Sequence, residues 1–130
     1  MGVDHVQLPM PPGGEDAARR FYAGLLGLTE VAKPDALAVR GGCWFSGPAT
    51  DIHLGVEEPY APWRKAHVAL LVDDLDGLRR ALHAAGVPTR DDEVDISVRR
   101  FYAEDPFGNR LELVDRRDGG FSRRTPTAAS

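Results

Sequence analysis

Three histidines and a glutamate carry most of the chemistry this sequence offers: His5 in "DHVQLP", His53 in "DIHLGV", His67 in "AHVALLV" and Glu112 in "RLELVD". Each has apolar neighbours of opposite parity, so in an extended strand the valines and leucines share one face and these four share the other. A carboxylate aimed at an interior needs a partner, because an unpaired buried charge is costly or neutralises itself. Imidazole nitrogen and carboxylate oxygen together suit a divalent Zn, Ni, Fe, Co or Mn ion. A set that fills only part of the coordination shell leaves room for a substrate oxygen, as catalytic centres do. Taken singly, a strand histidine is more often a hydrogen-bonded core or surface residue than a ligand; it is the symmetric placement of all four that favours the metal reading. The fourth histidine, His83, falls beside Leu82 on a helical stripe, has no such counterpart and reads as a surface residue.

The elements that must position the four form a repeat. Val3 to Leu8 alternate as a strand stopped by "PMPPGG". Ala18, Phe21, Tyr22 and Leu25 then follow at helical spacing, closed by Gly27, with strand-like runs near 28–33, 36–45 and 51–57. After the connector "EPYAPWRK" the order starts again. "AHVALLVDD" reads as a strand, and Leu75, Leu78, Leu82 and Ala85 mark a helix with Asp73 or Asp74 as N-cap and Gly86 as its end. Further strand-like runs lie near 88–91, 94–104 and 109–115. His5 overlies His67 at an offset of 62 and His53 overlies Glu112 at an offset of 59. The expected fold is α+β: one domain over residues 1–116 made of two βαβββ repeats, about 3–58 and 65–116, each covering the other's apolar face. Residues 117–130 carry no period and read as a disordered tail.

The chain has 130 residues, 28% charged and 42% hydrophobic, with a net charge of −4. That is ordinary globular composition, with no excess of positive charge for nucleic acid or an anionic membrane. No apolar run is long enough to span a bilayer and no signal-peptide layout is present, so a cytoplasmic location is the expectation. The single cysteine, Cys43, reads as a small buried hydrophobe.

The stretch "FYAEDPFGNRLELVD" at 101–115 has an aromatic, an Asp-Pro, a Gly-Asn turn and a glutamate between apolar residues. With the paired "HV" strands and the duplicated order, it resembles the vicinal oxygen chelate superfamily, the glyoxalase, bleomycin-resistance and dioxygenase proteins, over about residues 3–115. The resemblance implies a cupped half-barrel sheet with a divalent metal on its concave face. It implies that two adjacent substrate oxygens chelate that metal, and that a homodimer is the favoured assembly, with sites at or near the subunit interface. Carried over residue by residue, His5, His67 and Glu112 match the most widely shared ligands. His53 stands where glyoxalase I usually has a glutamate that also moves the proton, and reads as a fourth ligand or a base. Gln7 stands where fosfomycin-resistance proteins have a threonine.

The sequence therefore reads as a metal-dependent enzyme acting on a small molecule, of lyase, isomerase or dioxygenase type, with Glu112 and His53 as catalytic candidates. The competing reading is a protein that binds or sequesters a small molecule, such as an antibiotic, without turnover. Trp44, Phe45, Tyr60, Trp63, Phe101 and Tyr102 are the aromatic candidates for substrate contact, against the more common reading of strand aromatics as core, with Trp63 in a connector able to cap a cup. Arg99 or Arg100 is a candidate for meeting a substrate carboxylate or phosphate, against the more common exposed arginine pair.

Overall fold

Alternating apolar residues become strands here because each run finds a neighbour for its backbone on at least one side. The computed structural model describes residues 1–119. The first unit holds β1 (Val6–Met10), a helix that is α-helical over Glu15–Ala18 (α1) and π-helical over Arg19–Leu25, then β2 (Thr29–Val31), a short α2 (Asp35–Ala38), β3 (Cys43–Ser46) and β4 (Asp51–Val56). The second holds β5 (Val68–Val72), α3 (Leu75–Ala84), β6 (Thr89–Asp91), β7 (Arg100–Glu104) and β8 (Arg110–Asp115). Each unit forms a four-stranded mixed sheet, in the orders β1-β4-β3-β2 and β5-β8-β7-β6. The β1–β4 and β5–β8 pairs are parallel and the rest antiparallel. This is the expected α+β architecture of two βαβββ units, and neither sheet closes into a barrel among the described residues. No helix among them is long and apolar enough to cross a membrane.

One face of each sheet enters a common core. Leu8, Met10, Ile52 and Leu54 from the first sheet join Phe101, Leu111 and Leu113 from the second, with the helix residues Phe21, Tyr22, Leu75 and Leu82 among them. The opposite, open faces carry the polar residues of the same strands. Cys43 is buried as expected, and burial pushes its thiol pKa up to about 11, which leaves it unreactive.

The turn between β7 and β8 fastens the two units. Asp105, 5% exposed, accepts hydrogen bonds from the Phe107 and Asn109 backbone N–H groups, from the Asn109 amide and from the Tyr22 hydroxyl at 2.6 Å. Asn109 in turn donates to the Pro9 carbonyl on β1 at 2.8 Å and accepts from the Trp63 N–H at 2.8 Å. The Trp63 carbonyl accepts from the Arg110 N–H, so the connector is held at this point. Burial, and next the Asp105 charge, raise the Tyr22 pKa well above its ordinary value and keep the hydroxyl a donor.

Three expectations are corrected by local chemistry. The run 36–45 is not one strand: Pro34 leads into α2, and Gly42, at φ +83°, turns the chain tightly enough that a Cβ there would meet the Leu54 carbonyl at 2.1 Å. The run 94–104 becomes strand only from Arg100, because Asp92 and Asp95 take the backbone N–H groups of Val94, Asp95 and Ser97 before a ladder can. The first strand begins at Val6, so His5 lies just before it, as His67 lies just before β5. The expected tail lies outside the described residues from 120 on; Asp118 and Gly119 donate backbone hydrogen bonds to the Asp115 carbonyl.

Candidate metal centre

On the open face of the second sheet His67 and Glu112 meet, with Nε2 and Oε1 3.3 Å apart. The His67 Nδ1 lies 2.8 Å from the Lys65 carbonyl, which can only accept, so this nitrogen carries a proton. With Nδ1 so engaged, Nε2 is the nitrogen that meets the carboxylate: as a donor to it when the ring is protonated, and as a lone-pair ligand beside it when a cation is bound. The other oxygen of Glu112 is held by Arg100, whose Nη1 lies 3.4 Å from Oε2. Arg100 also reaches Asp92 at 3.1 Å and Asp95 at 2.7 Å, tying the β6–β7 loop to the carboxylate.

The equivalent place on the first sheet holds an aromatic stack. The His53 ring lies between His5, at a centroid distance of 4.1 Å, and Trp44, at 4.0 Å. Trp44 is the cross-strand partner of His53 as Tyr102 is of Glu112, so the repeat extends to the neighbours of the site. Burial, followed by the adjacent His5, lowers the His53 pKa below the ordinary histidine value. His5 is itself oriented by Asp4, whose carboxylate lies 2.8 Å from Nδ1, leaving Nε2 open.

The four predicted ligands therefore fall into two pairs, His5 with His53 and His67 with Glu112, each on the face of its sheet that turns away from the core. Among the described residues no group of three or more histidine, cysteine, aspartate or glutamate side chains within the chain is placed to hold a metal ion. Both pairs have the donor chemistry of a divalent site, the His5 Nε2 open in the first and the His67 Nε2 beside a Glu112 oxygen in the second, but each pair alone is half a coordination set.

The remaining candidates separate clearly. His83 is exposed and bonds to the Thr89 hydroxyl at 2.8 Å. Phe45 and Phe101 are fully buried core residues, and the Tyr60 hydroxyl donates to the Phe107 carbonyl. Neither Arg99 nor Arg100 is free for a substrate anion, nor are they simply exposed: Arg99 holds Asp76 and Asp115, and Arg100 holds Asp92, Asp95 and Glu112. The role of Arg100 beside Glu112 escaped sequence reasoning, although both residues have the open-face parity of adjacent hairpin strands.

The fold is a duplicated βαβββ architecture with a pair of donor side chains on the open face of each sheet. The model of the Glyoxalase/Bleomycin resistance protein/Dioxygenase superfamily matches residues 2–113, and the chain belongs to that superfamily. A Bacillus anthracis protein assigned to the glyoxalase family is 43% identical, with a TM-score of 0.84 over 88% of this chain and 94% of that one. A glyoxalase/dioxygenase from Nostoc punctiforme is 24% identical, with a TM-score of 0.72 over 88% and 90%. A variant of the Listeria monocytogenes fosfomycin resistance protein FosX, in complex with Mn(II) and 1S,2S-dihydroxypropylphosphonic acid, is 16% identical, with a TM-score of 0.72 over 88% and 91%. The last two share the fold alone. A search of curated proteins found no significant match.

Proposed function

We propose that the protein is a divalent-metal enzyme acting on a small molecule with two adjacent oxygens, and that each centre is completed between two copies of the chain. The observation that carries this reading is the division of the donors into two equivalent outward-facing pairs. The shared core lies behind both pairs, so a second copy is what brings a His5 to a His67–Glu112 pair. His5, His67 and Glu112 would hold the ion, with His53 as a fourth ligand or as the base. When bound, the metal supplies Lewis-acid polarisation of the chelated substrate oxygens.

The chain's own residues do the rest. Lys65 and Asp4 fix the ring orientations of His67 and His5. Arg100 holds one Glu112 oxygen and leaves the other towards His67. Trp44 and His5 clamp the plane of His53, which places an imidazole beside the ligand set to accept a proton from carbon in a lyase or isomerase step. The superfamily and its Mn(II)-bound fold relative support a metal-dependent member.

A second reading, a binding protein without turnover, is favoured by one contact: Arg100 already compensates the Glu112 charge without a metal. Elemental mass spectrometry on untagged protein separates the two. The enzyme reading expects about one Zn, Ni, Fe, Co or Mn per chain, lost in His5→Ala and in Glu112→Gln. Protein that takes up no divalent ion on reconstitution favours the binding protein, and single variants that retain the ion fully overturn the ligand set. An iron centre with substrate-dependent oxygen uptake would assign the dioxygenase branch.

A further inference from the structure

Most cations around the second sheet are already engaged by carboxylates. Arg64 meets Glu104, Arg79 meets Asp91, Arg99 meets Asp76 and Asp115, and Arg100 meets Asp92, Asp95 and Glu112. Lys65, Arg90 and Arg110 line one cavity of about 640 Å³ whose wall also includes His67 and Tyr102, and among the described residues none of the three has an ion pair. Of the acids around it, Asp91 and Asp92 are taken by Arg79 and Arg100, which leaves Glu93 as the single unpaired carboxylate among those described. The cavity shares Arg90, Tyr102 and Arg110 with an adjoining hollow of about 690 Å³ that continues past Arg64.

Strand register explains the arrangement. Arg90 pairs across to Tyr102 and Tyr102 to Glu112, so the three form one row on the open face. The Arg90 guanidinium lies 5.2 Å from the centre of the Tyr102 ring, and the His67 ring meets the same tyrosine edge-on at 6.1 Å. A cation drawn to the face of the ring needs no carboxylate there, and the Arg90 N–H groups stay available to an anion. Arg110 stands two residues from Glu112 on the same face of β8. Unpaired cations in a recess concentrate anions, and a guanidinium fork matches two oxygens of a carboxylate or phosphoryl group.

We propose that this cavity binds an anionic arm of the substrate, Lys65, Arg90 and Arg110 holding its carboxylate or phosphoryl group while its adjacent oxygens lie at His67 and Glu112. As a statement about the substrate it rests on the metal-enzyme reading; as a statement about anion binding it does not.

The test titrates inorganic phosphate, and separately acetate, into the full-length protein, both as purified and after chelation of metal, following by NMR the backbone amide signals of Thr89, Asp91 and Tyr102 in the cavity wall. Saturable shifts are expected in both states, with binding weakened about tenfold or more in the Arg90→Gln/Arg110→Gln double variant. Preference for phosphate or for acetate assigns the phosphoryl or the carboxylate arm. Should the double variant misfold, Lys65→Gln and Arg90→Gln separately carry the same comparison. Shifts that do not saturate in either state, or equal binding by wild type and variants, overturn the proposal. Saturable binding by protein that takes up no metal leaves the anion pocket standing and removes the enzyme reading alone; metal uptake without phosphate or acetate binding removes the pocket alone.

Discussion

Asp115 and Asp105 are both buried carboxylates, and their surroundings drive them in opposite directions. Asp115, 1% exposed, is held first by Arg117 and also by Arg99, which keep its carboxyl well below the usual range. A depressed carboxylate stabilises the fold above its unfolded pKa of about 3.9, and that contribution is lost as pH falls through the folded value. Asp115→Asn is therefore expected to be less stable than wild type at pH 7, with the gap closing below about pH 4; urea unfolding from pH 7 to pH 2 measures this. A gap unchanged down to pH 2 would exclude Asp115 as a source of acid sensitivity. For Asp105 burial dominates its donors and raises the pKa, so its charge opposes folding at neutral pH. The Tyr22 hydroxyl bonded to it should contribute about 1–2 kcal/mol, read as the loss of urea stability in Tyr22→Phe. At this scale the sequence was half legible. Strand parity marked His5, His53, His67 and Glu112, but Arg100, twelve residues from Glu112, becomes its neighbour only once β7 folds back on β8.

Elements were legible where a local signal and a tertiary contact agree. Gly27 and Gly86 end equivalent helices at φ +77° and +78°. At the second, Val87 N–H reaches the Leu82 carbonyl and Gly86 N–H the His83 carbonyl, the paired bonds of a Schellman end. A Cβ on Gly86 would meet nothing within 4 Å, so Gly86→Ala isolates the backbone cost of the left-handed conformation. The expected loss is about 1–2 kcal/mol by chemical denaturation; a neutral result would mean the helix end relaxes. Where local bonding wins, the alternation misleads. Asp92 and Asp95 draw the backbone after β6 into turns, and Val94 and Ile96, which look like strand residues, stand 96% and 86% exposed.

For the whole molecule, the order of the repeat was visible in the sequence, but the separation of the two donor pairs onto outward faces was not, since it depends on which faces share the core. Subunit mixing follows from it. His5→Ala and Glu112→Gln chains, each unable to hold metal alone, should recover about a quarter of the wild-type metal when refolded together, because half the random dimers carry one intact centre. No recovery would place a whole centre within one chain. The clasp at Asp105 and Asn109 has a different consequence. The corresponding hairpin of the first unit reads Gly47-Pro48-Ala49-Thr50, without the aspartate and asparagine that reach across to Tyr22 and Pro9. The two units are thus not interchangeable: a tandem of two second units keeps the aspartate and asparagine but loses the tyrosine they reach, whereas a tandem of two first units keeps the tyrosine and has no carboxylate to meet it.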